Sequence, residues 1–186
     1  MTRTMAREIA VQLVFSLAGR RQDTGELLES FFNKEYYESL KDESELFAEY
    51  PSKKQRTYIY AVVNGVSEYV DEIDGYIEKY AKGWKISRIS RIALSILRTA
   101  IFEVLYMDEV PDSVAINEAV ELSKGYVEQE TVSFINGILG SFMRGERGFS
   151  PLQDEPMEQE AEEAPAEEKE ASELEKSPSE TMPEEG

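Results

Sequence analysis

The stretch from Ile89 to Met107 is the most apolar part of the chain, and it constrains the fold more than any other feature. At the 3.6-residue period of an α-helix, its apolar side chains cover most of the circumference. Such a helix must be enclosed by other elements, which places it at the centre of a bundle. It also contains Arg91, Arg98 and Glu103, whereas a membrane span needs about 20 largely uncharged residues. The stretch therefore predicts a central buried helix and no membrane-spanning segment.

The rest of residues 1–149 is also helical in pattern, and strand-like alternation is not sustained anywhere. The first helix has a core stripe of Ala6, Ala10, Leu13 and Leu17, and Ser52 is suited to cap a later helix at its N-terminus. The pattern predicts an all-α domain of six or seven helices. Besides the central helix, these lie at about 4–18, 25–40 with a possible extension to 50, 53–82, 111–126 and 131–144.

Composition changes sharply after Phe149, and this change predicts a domain boundary. Residues 150–186 hold 14 acidic and two basic residues, a net charge of −12, whereas residues 1–149 carry only −6 of the total of −18. Five prolines and no aromatic residue occur in this segment. A segment of this kind cannot bury enough apolar surface to offset the entropy lost on ordering. The sequence therefore predicts a folded domain over 1–149 and a disordered acidic tail over 150–186.

The chain has no cysteine and no histidine, and this narrows its chemistry. Disulfides and thiolate metal sites are excluded, and the usual general base and the usual zinc ligand are missing. No glycine-rich phosphate loop is present. These absences predict a cytoplasmic binding protein that is not an enzyme and that needs no metal or cofactor.

Two aromatic residues stand out because simple core packing does not explain them. Arg7, Val11 and Phe15 form a row on the first helix, about 100° to 180° round from its core stripe. Phe134 lies at the edge of the last helix's core stripe, near the N-terminus, where backbone N–H groups could meet a phosphate. Aromatic rings beside cations are typical of single-stranded RNA recognition. The alternative is ordinary packing, with Phe15 against the second helical region and Arg7 as a solvated charge.

Charged residues in the most apolar helices call for a different interpretation. A buried or half-buried charge needs a hydrogen-bonded partner to offset its desolvation. Arg98 and Glu118 are therefore predicted to form a structural ion pair, and a catalytic role for the carboxylates of Glu103 and Glu118 is not indicated.

Four motifs give the chain a family resemblance. The stretches ILRTAIFE (96–103), VPDSVAINEAVELSK (110–124) and FINGIL (134–139), with the opening AREIAVQLVF (6–15), resemble NusB-type transcription antitermination factors. The resemblance covers about the first 20 residues and 58–144. It implies two antiparallel three-helix subdomains that share one core. It also implies a function, which is binding boxA-type single-stranded RNA jointly with ribosomal protein NusE in an antitermination complex on RNA polymerase.

The positions that match the family's RNA surface are Arg3, Arg7, Phe15 and Phe134. The sequence departs from the family at three points. The N-terminal arm has only two arginines, which predicts fewer phosphate contacts and weaker, less salt-dependent binding. Phe15 stands where the family often has tyrosine, and Gly140 stands where it has aspartate.

Two other functions remain open from the sequence. One is a protein-interaction adaptor without RNA binding, and the other is a helical module like the one that precedes the catalytic domain of ribosomal RNA cytosine methyltransferases. The acidic tail could compete with RNA for Arg3, Arg7, Arg20 and Arg21, or it could serve solubility alone. Truncation after Phe149 tests the competition, since RNA affinity at low salt would then rise.

Overall fold

The computed structural model describes residues 1–17 and 23–148 of the chain. Within those ranges it contains α-helices and short 3-10 turns but no β-strand, which confirms the all-α fold. The predicted acidic tail lies outside the described residues. The α-helices are α1 (Arg3–Leu17), α2 (Thr24–Phe31), α3 (Lys34–Ser39), α4 (Lys53–Glu68), α5 (Val70–Tyr80), α6 (Arg91–Tyr106), α7 (Asp112–Ser123) and α8 (Gln129–Glu146), with 3-10 turns at Glu45–Phe47 and Ile86–Arg88.

Helix α6 is the centre of the fold, as its sequence predicts. It packs against α1, α4 and α5, which precede it in the chain, and against α7 and α8, which follow it. Ile96, Leu97 and Ile101 are fully buried, and the buried residues of all these helices form one continuous core. The helix therefore joins the two halves of the domain.

Helix α1 is buried over a wider arc than its core stripe predicts. Ala6, Ala10 and Leu13 are buried as expected, but Arg7 and Val11 are buried as well. The reason is that α1 lies between α4 and α6 and contacts both along its length. The row that begins at Arg7 is thus an interior face at its start and reaches the surface only at Phe15.

The helical region predicted over 25–40, with a possible extension to 50, consists of two short α-helices and a 3-10 turn. The cause is local, because two side chains start new helices. Asn33 accepts a hydrogen bond from the Tyr36 amide at 3.1 Å, and Ser44 accepts one from the Leu46 amide at 3.2 Å. Residues of this type cap helices better than they continue them.

The long helix predicted over 53–82 begins as expected but is interrupted at Tyr69. Ser52 forms the N-cap and is part of a capping box with Gln55. At Tyr69 the backbone leaves helical geometry, with φ −103° and ψ 20°, and the ring stacks on Tyr106 with centroids 4.4 Å apart. α4 and α5 are therefore separate helices.

Gly65 lets α4 approach α6 closely. A Cβ atom on Gly65 would lie 2.1 Å from Cε2 of Phe102, well inside van der Waals contact. We expect Gly65→Ala to lower the free energy of unfolding by about 1–3 kcal/mol through overpacking, measured by urea denaturation. Gly75→Ala in α5 is the matched control, since a Cβ there has no neighbour within 4 Å and should be neutral or stabilising. Equal effects of the two changes would contradict the close-packing role.

Candidate RNA-binding surface

Arg7 lies in the interior and is held by two carboxylates. Its Nε and Nη2 donate to the two oxygens of Glu103 at 2.8 and 2.9 Å, and its Nη1 donates to Oε2 of Glu118 at 2.9 Å. The Arg7 and Glu103 side chains are 3% and 0% exposed. A bidentate pair of this kind is geometrically specific and strong.

Two further side chains complete this network, Tyr58 in the interior and Thr4 at its exposed edge. The Tyr58 hydroxyl donates to Oε1 of Glu103 at 2.8 Å, and the Thr4 hydroxyl donates to Oε2 of Glu118 at 2.8 Å. Burial raises the pKa of Tyr58, and the negative charge of Glu103 raises it further. For Arg7, burial alone would lower the pKa, but the hydrogen bonds that Arg7 donates to Glu103, together with the electrostatic effects of Tyr58, Glu103 and Glu118, outweigh it and raise the pKa. Because the pKa values of Arg7 and Tyr58 are both raised, both side chains stay protonated at neutral pH.

Arg7, which the sequence predicted to contact RNA, lies in the interior instead. It is only 2% exposed and its guanidinium nitrogens donate to two carboxylates, although it also borders a groove that Arg3 lines. Its ion pairs join α1 to α6 and α7.

The predicted pair between Arg98 and Glu118 is wrong. Arg98 pairs instead with Asp74 on α5, through Nε and Nη2 at 2.7 Å each. Arg98 lies on the side of α6 that faces α5, whereas Glu118 on α7 faces α1 and pairs with Arg7. The need for partners was inferred correctly, but the assignment was not.

Arg3 lies at the edge of a groove that sequence reasoning did not identify. Its guanidinium carbon is 3.7 Å from the centroid of the Tyr58 ring. The groove beside it is also lined by Lys53 and Lys54 at the start of α4, with Glu109 opposite. Three cations from two helices therefore meet at this end of the domain.

Phe15 is 36% exposed at the far end of α1, and its nearest described cation comes from α6. The guanidinium carbon of Arg91 lies 4.6 Å from the ring centroid, and Nη2 of Arg91 donates to the Phe15 carbonyl at 3.1 Å. A shallow pocket beside the ring is lined by Gln12, Ser16 and Tyr126. Phe15 thus belongs to a partly open aromatic and polar surface.

Tyr126 ties this pocket to the connection between α7 and α8. Its hydroxyl accepts a hydrogen bond from Nε2 of Gln12 at 2.8 Å and donates one to Oε1 of Glu8 at 2.6 Å. Burial, together with the hydrogen bond to Glu8, raises the pKa of Tyr126 to about 12. The hydroxyl therefore stays protonated, and its two hydrogen bonds join α1 to the connection that precedes α8.

Phe134 lies in the second turn of α8 and is half-buried. Its ring centroid is 5.2 Å from that of Trp84, which is 52% exposed and follows Gly83, a residue with φ +82°. Sequence reasoning missed Trp84. The sequence does mark the region around it, because residues 79–102 contain no Asp or Glu although the chain has 38 of them.

Two other kinds of site were sought in the part of the chain that the structure describes. No helix there is long and apolar enough to cross a membrane. No group of three or more His, Cys, Asp or Glu side chains there could hold a metal ion.

The fold and its surfaces define a helical domain whose exposed aromatic rings lie beside arginine and lysine side chains, an arrangement typical of proteins that bind single-stranded nucleic acid. The model of the NusB family matches residues 4–144. The chain therefore belongs to the NusB family.

Relatives and solved structures agree with this assignment. Transcription antitermination protein NusB of Acetivibrio thermocellus is 43% identical over 144 residues, which cover 77% of this chain and 90% of that protein. The NusB protein of Ruminiclostridium cellulolyticum is 40% identical, with 78% and 91% covered. NusB of T. maritima has a similar structure, with a TM-score of 0.64, 26% identity, and 77% and 92% covered. A complex of antitermination factors NusB and NusE with dsRNA contains the same fold, with a TM-score of 0.61, 22% identity, and 77% and 96% covered.

Proposed function

We propose that this chain is a transcription antitermination factor that binds boxA-type single-stranded RNA together with NusE. It acts without catalysis in the cytoplasm, in a complex with RNA polymerase, and promotes processive transcription of ribosomal RNA operons. Family membership across residues 4–144 and the identity of 43% to a named antitermination protein support this proposal.

The observation that carries the RNA contact is the exposure of two aromatic side chains, Phe15 and Trp84. Phe15 lies against Arg91, and Phe134 lies against the exposed Trp84. Bases of a single strand stack on such rings, and phosphates pair with neighbouring cations. Arg3, with Lys53 and Lys54, supplies a second cationic region at the other end of α1.

Arg7 contributes to this function through position. By joining α1 to α6 and α7, its ion pairs hold the backbone that carries Arg3 at one end and Phe15 at the other. It is a positioning residue in this proposal, because its guanidinium already donates to two carboxylates.

The sequence comparisons favour this function over the two alternatives. The relatives are full NusB factors, and this chain spans about nine-tenths of their length. A module of a ribosomal RNA methyltransferase has no comparable support. A pure protein adaptor differs only in lacking RNA binding, so it is an outcome of the same experiment.

That experiment measures the affinity of the full chain for a fluorescently labelled boxA-like RNA, alone and with purified NusE. We expect specific binding that is tighter with NusE, and a scrambled RNA of equal length is the control. Binding of NusE with no RNA affinity in either condition would support the adaptor and reject RNA binding.

A further inference from the structure

The connection between α5 and α6 is the most cationic part of an acidic chain. Residues 79–102 contain six lysines and arginines and no acidic residue, although the chain as a whole carries a net charge of −18. Two of the six are neutralised, since Lys79 pairs with Glu146 and Arg98 pairs with Asp74. The other four are Lys82, Lys85, Arg88 and Arg91, and none has a carboxylate of the described residues within 4.0 Å.

This same connection contacts both aromatic residues of the proposed RNA surface. Trp84 packs on Phe134 of α8, and Arg91 packs on Phe15 of α1. Trp84 and Arg91 are seven positions apart in the sequence, so their Cα atoms lie no more than about 25 Å apart even for an extended chain. One short segment thus joins two aromatic sites that are far apart in sequence.

Trp84 is exposed to a degree that packing alone does not explain. Phe134 covers only part of its indole, and 52% of the residue remains open to solvent. The neighbouring Lys82, Gly83 and Lys85 are exposed as well. An open indole between two lysines offers a stacking face with phosphate-binding groups on both sides.

Because Arg7 is buried, the N-terminal arm has fewer cations that can bind RNA phosphates, and the α5–α6 connection supplies others. Of the two arginines in the N-terminal arm, Arg7 is occupied by Glu103 and Glu118. Only Arg3 of the arm is left for phosphate, and it lies over Tyr58 at the opposite end of α1 from Phe15. Among the described residues, Arg91 at the start of α6 lies against Phe15, and Lys82 and Lys85 flank Trp84 in the sequence.

We propose that the segment from Lys82 to Arg91 is the central part of the RNA-binding surface. Trp84 stacks on a base, Lys82, Lys85 and Arg88 neutralise phosphates, and Arg91 extends the Phe15 ring with its guanidinium plane. This inference rests on the proposed function, because it names the residues through which the same RNA is held.

The first test uses Trp84 as a probe, since it is the only tryptophan in the chain. Titrating the full chain with unlabelled boxA-like RNA should quench the tryptophan emission and protect it from acrylamide, with the same midpoint as binding measured on labelled RNA. RNA binding with unchanged emission and unchanged acrylamide quenching would overturn the role of Trp84. Quenching by NusE alone, with none by RNA, would also overturn it and assign the indole to a protein contact.

The second test compares two double variants of equal charge. Lys82→Gln with Lys85→Gln should reduce the slope of log affinity against log salt by about 1.4, because each phosphate contact on a single strand contributes about 0.7. Lys34→Gln with Lys41→Gln changes two exposed lysines of α3 and the turn after it, and should leave the slope unchanged. Equal slopes for all three proteins would overturn the phosphate contacts.

The two proposals fail in different ways. If the unaltered chain binds RNA but the slope and the emission do not respond, the segment is not part of the surface and the proposed function stands. If the unaltered chain binds no RNA with or without NusE, the proposed function itself is rejected and this inference with it.

Discussion

Glu103→Leu is expected to lower the free energy of unfolding by about 3–5 kcal/mol, a large part of the roughly 5–15 kcal/mol that stabilises an ordinary domain. The change removes the carboxylate that accepts two hydrogen bonds from Arg7 and one from Tyr58. It leaves the Arg7 guanidinium buried with Glu118 as its remaining carboxylate partner. Urea denaturation followed by circular dichroism measures the loss.

A compensating variant separates the cost of an unpaired charge from the cost of altered packing. The triple change Arg7→Met, Tyr58→Phe and Glu103→Leu removes every buried partner together, and it should recover at least half of the lost stability. Glu121→Gln breaks the exposed pair with Lys124 and should cost less than about 1 kcal/mol. If the triple variant is no more stable than Glu103→Leu alone, altered packing rather than the uncompensated charge causes most of the lost stability.

The double change Phe15→Ala with Phe134→Ala is expected to weaken binding of boxA-like RNA by roughly 30-fold to 20,000-fold. Base stacking on one aromatic ring is worth about 1–3 kcal/mol by alanine substitution, and separate sites add. The two rings lie on α1 and α8 and contact different neighbours, Arg91 and Trp84. Fluorescence anisotropy of labelled RNA measures the change in affinity.

Two controls keep this prediction separate from a loss of folding. Phe15→Leu with Phe134→Leu retains apolar bulk without a ring, and it should bind RNA weakly while unfolding at nearly the original temperature. Tyr36→Ala removes an aromatic side chain that is 51% exposed on α3, and it should leave RNA affinity unchanged. Full RNA affinity in the double alanine variant would mean that neither ring stacks on a base.

Those features of the fold that depend on apolar pattern and capping chemistry were predictable from the sequence. The central position of α6 follows from its apolar circumference, and Ile96, Leu97 and Ile101 are fully buried as expected. The start of α4 follows from Ser52, whose hydroxyl and backbone take part in a capping box. Both predictions rest on interactions within one helix or on burial alone, so no knowledge of neighbouring helices was needed.

The partners of buried charges were not predictable in the same way. The helical period places Arg7 away from the core stripe. The prediction that Arg7 is exposed therefore assumes that α1 has only one buried face. α1 has a second buried face because α6 covers it, and a charged residue there leaves no apolar signal. The partner of Arg98 depends on which helix faces it, and only the tertiary arrangement shows that this helix is α5.

The surface residues fall between these cases. Phe15 and Phe134 stand out by pattern, and the structure places Phe15 against Arg91 and the half-buried Phe134 against Trp84. Their contact with RNA stays a prediction. Trp84 was not predicted as a surface residue because it lies in a short connection, where helical periodicity does not indicate which side chains are buried. The absence of acidic residues from 79–102 was the better signal for this region.

The buried network of Arg7, Tyr58, Glu103 and Glu118 has a consequence for how this protein can evolve. Its members come from α1, α4, α6 and α7. Residues in four separate stretches of sequence therefore depend on one another for hydrogen bonds and charge neutralisation. A change at Arg7 or Glu103 alone is strongly unfavourable, whereas a coordinated replacement can be neutral. Among related sequences we therefore expect these positions to covary as one block, and a lineage that loses the arginine should have lost the carboxylate of Glu103 as well.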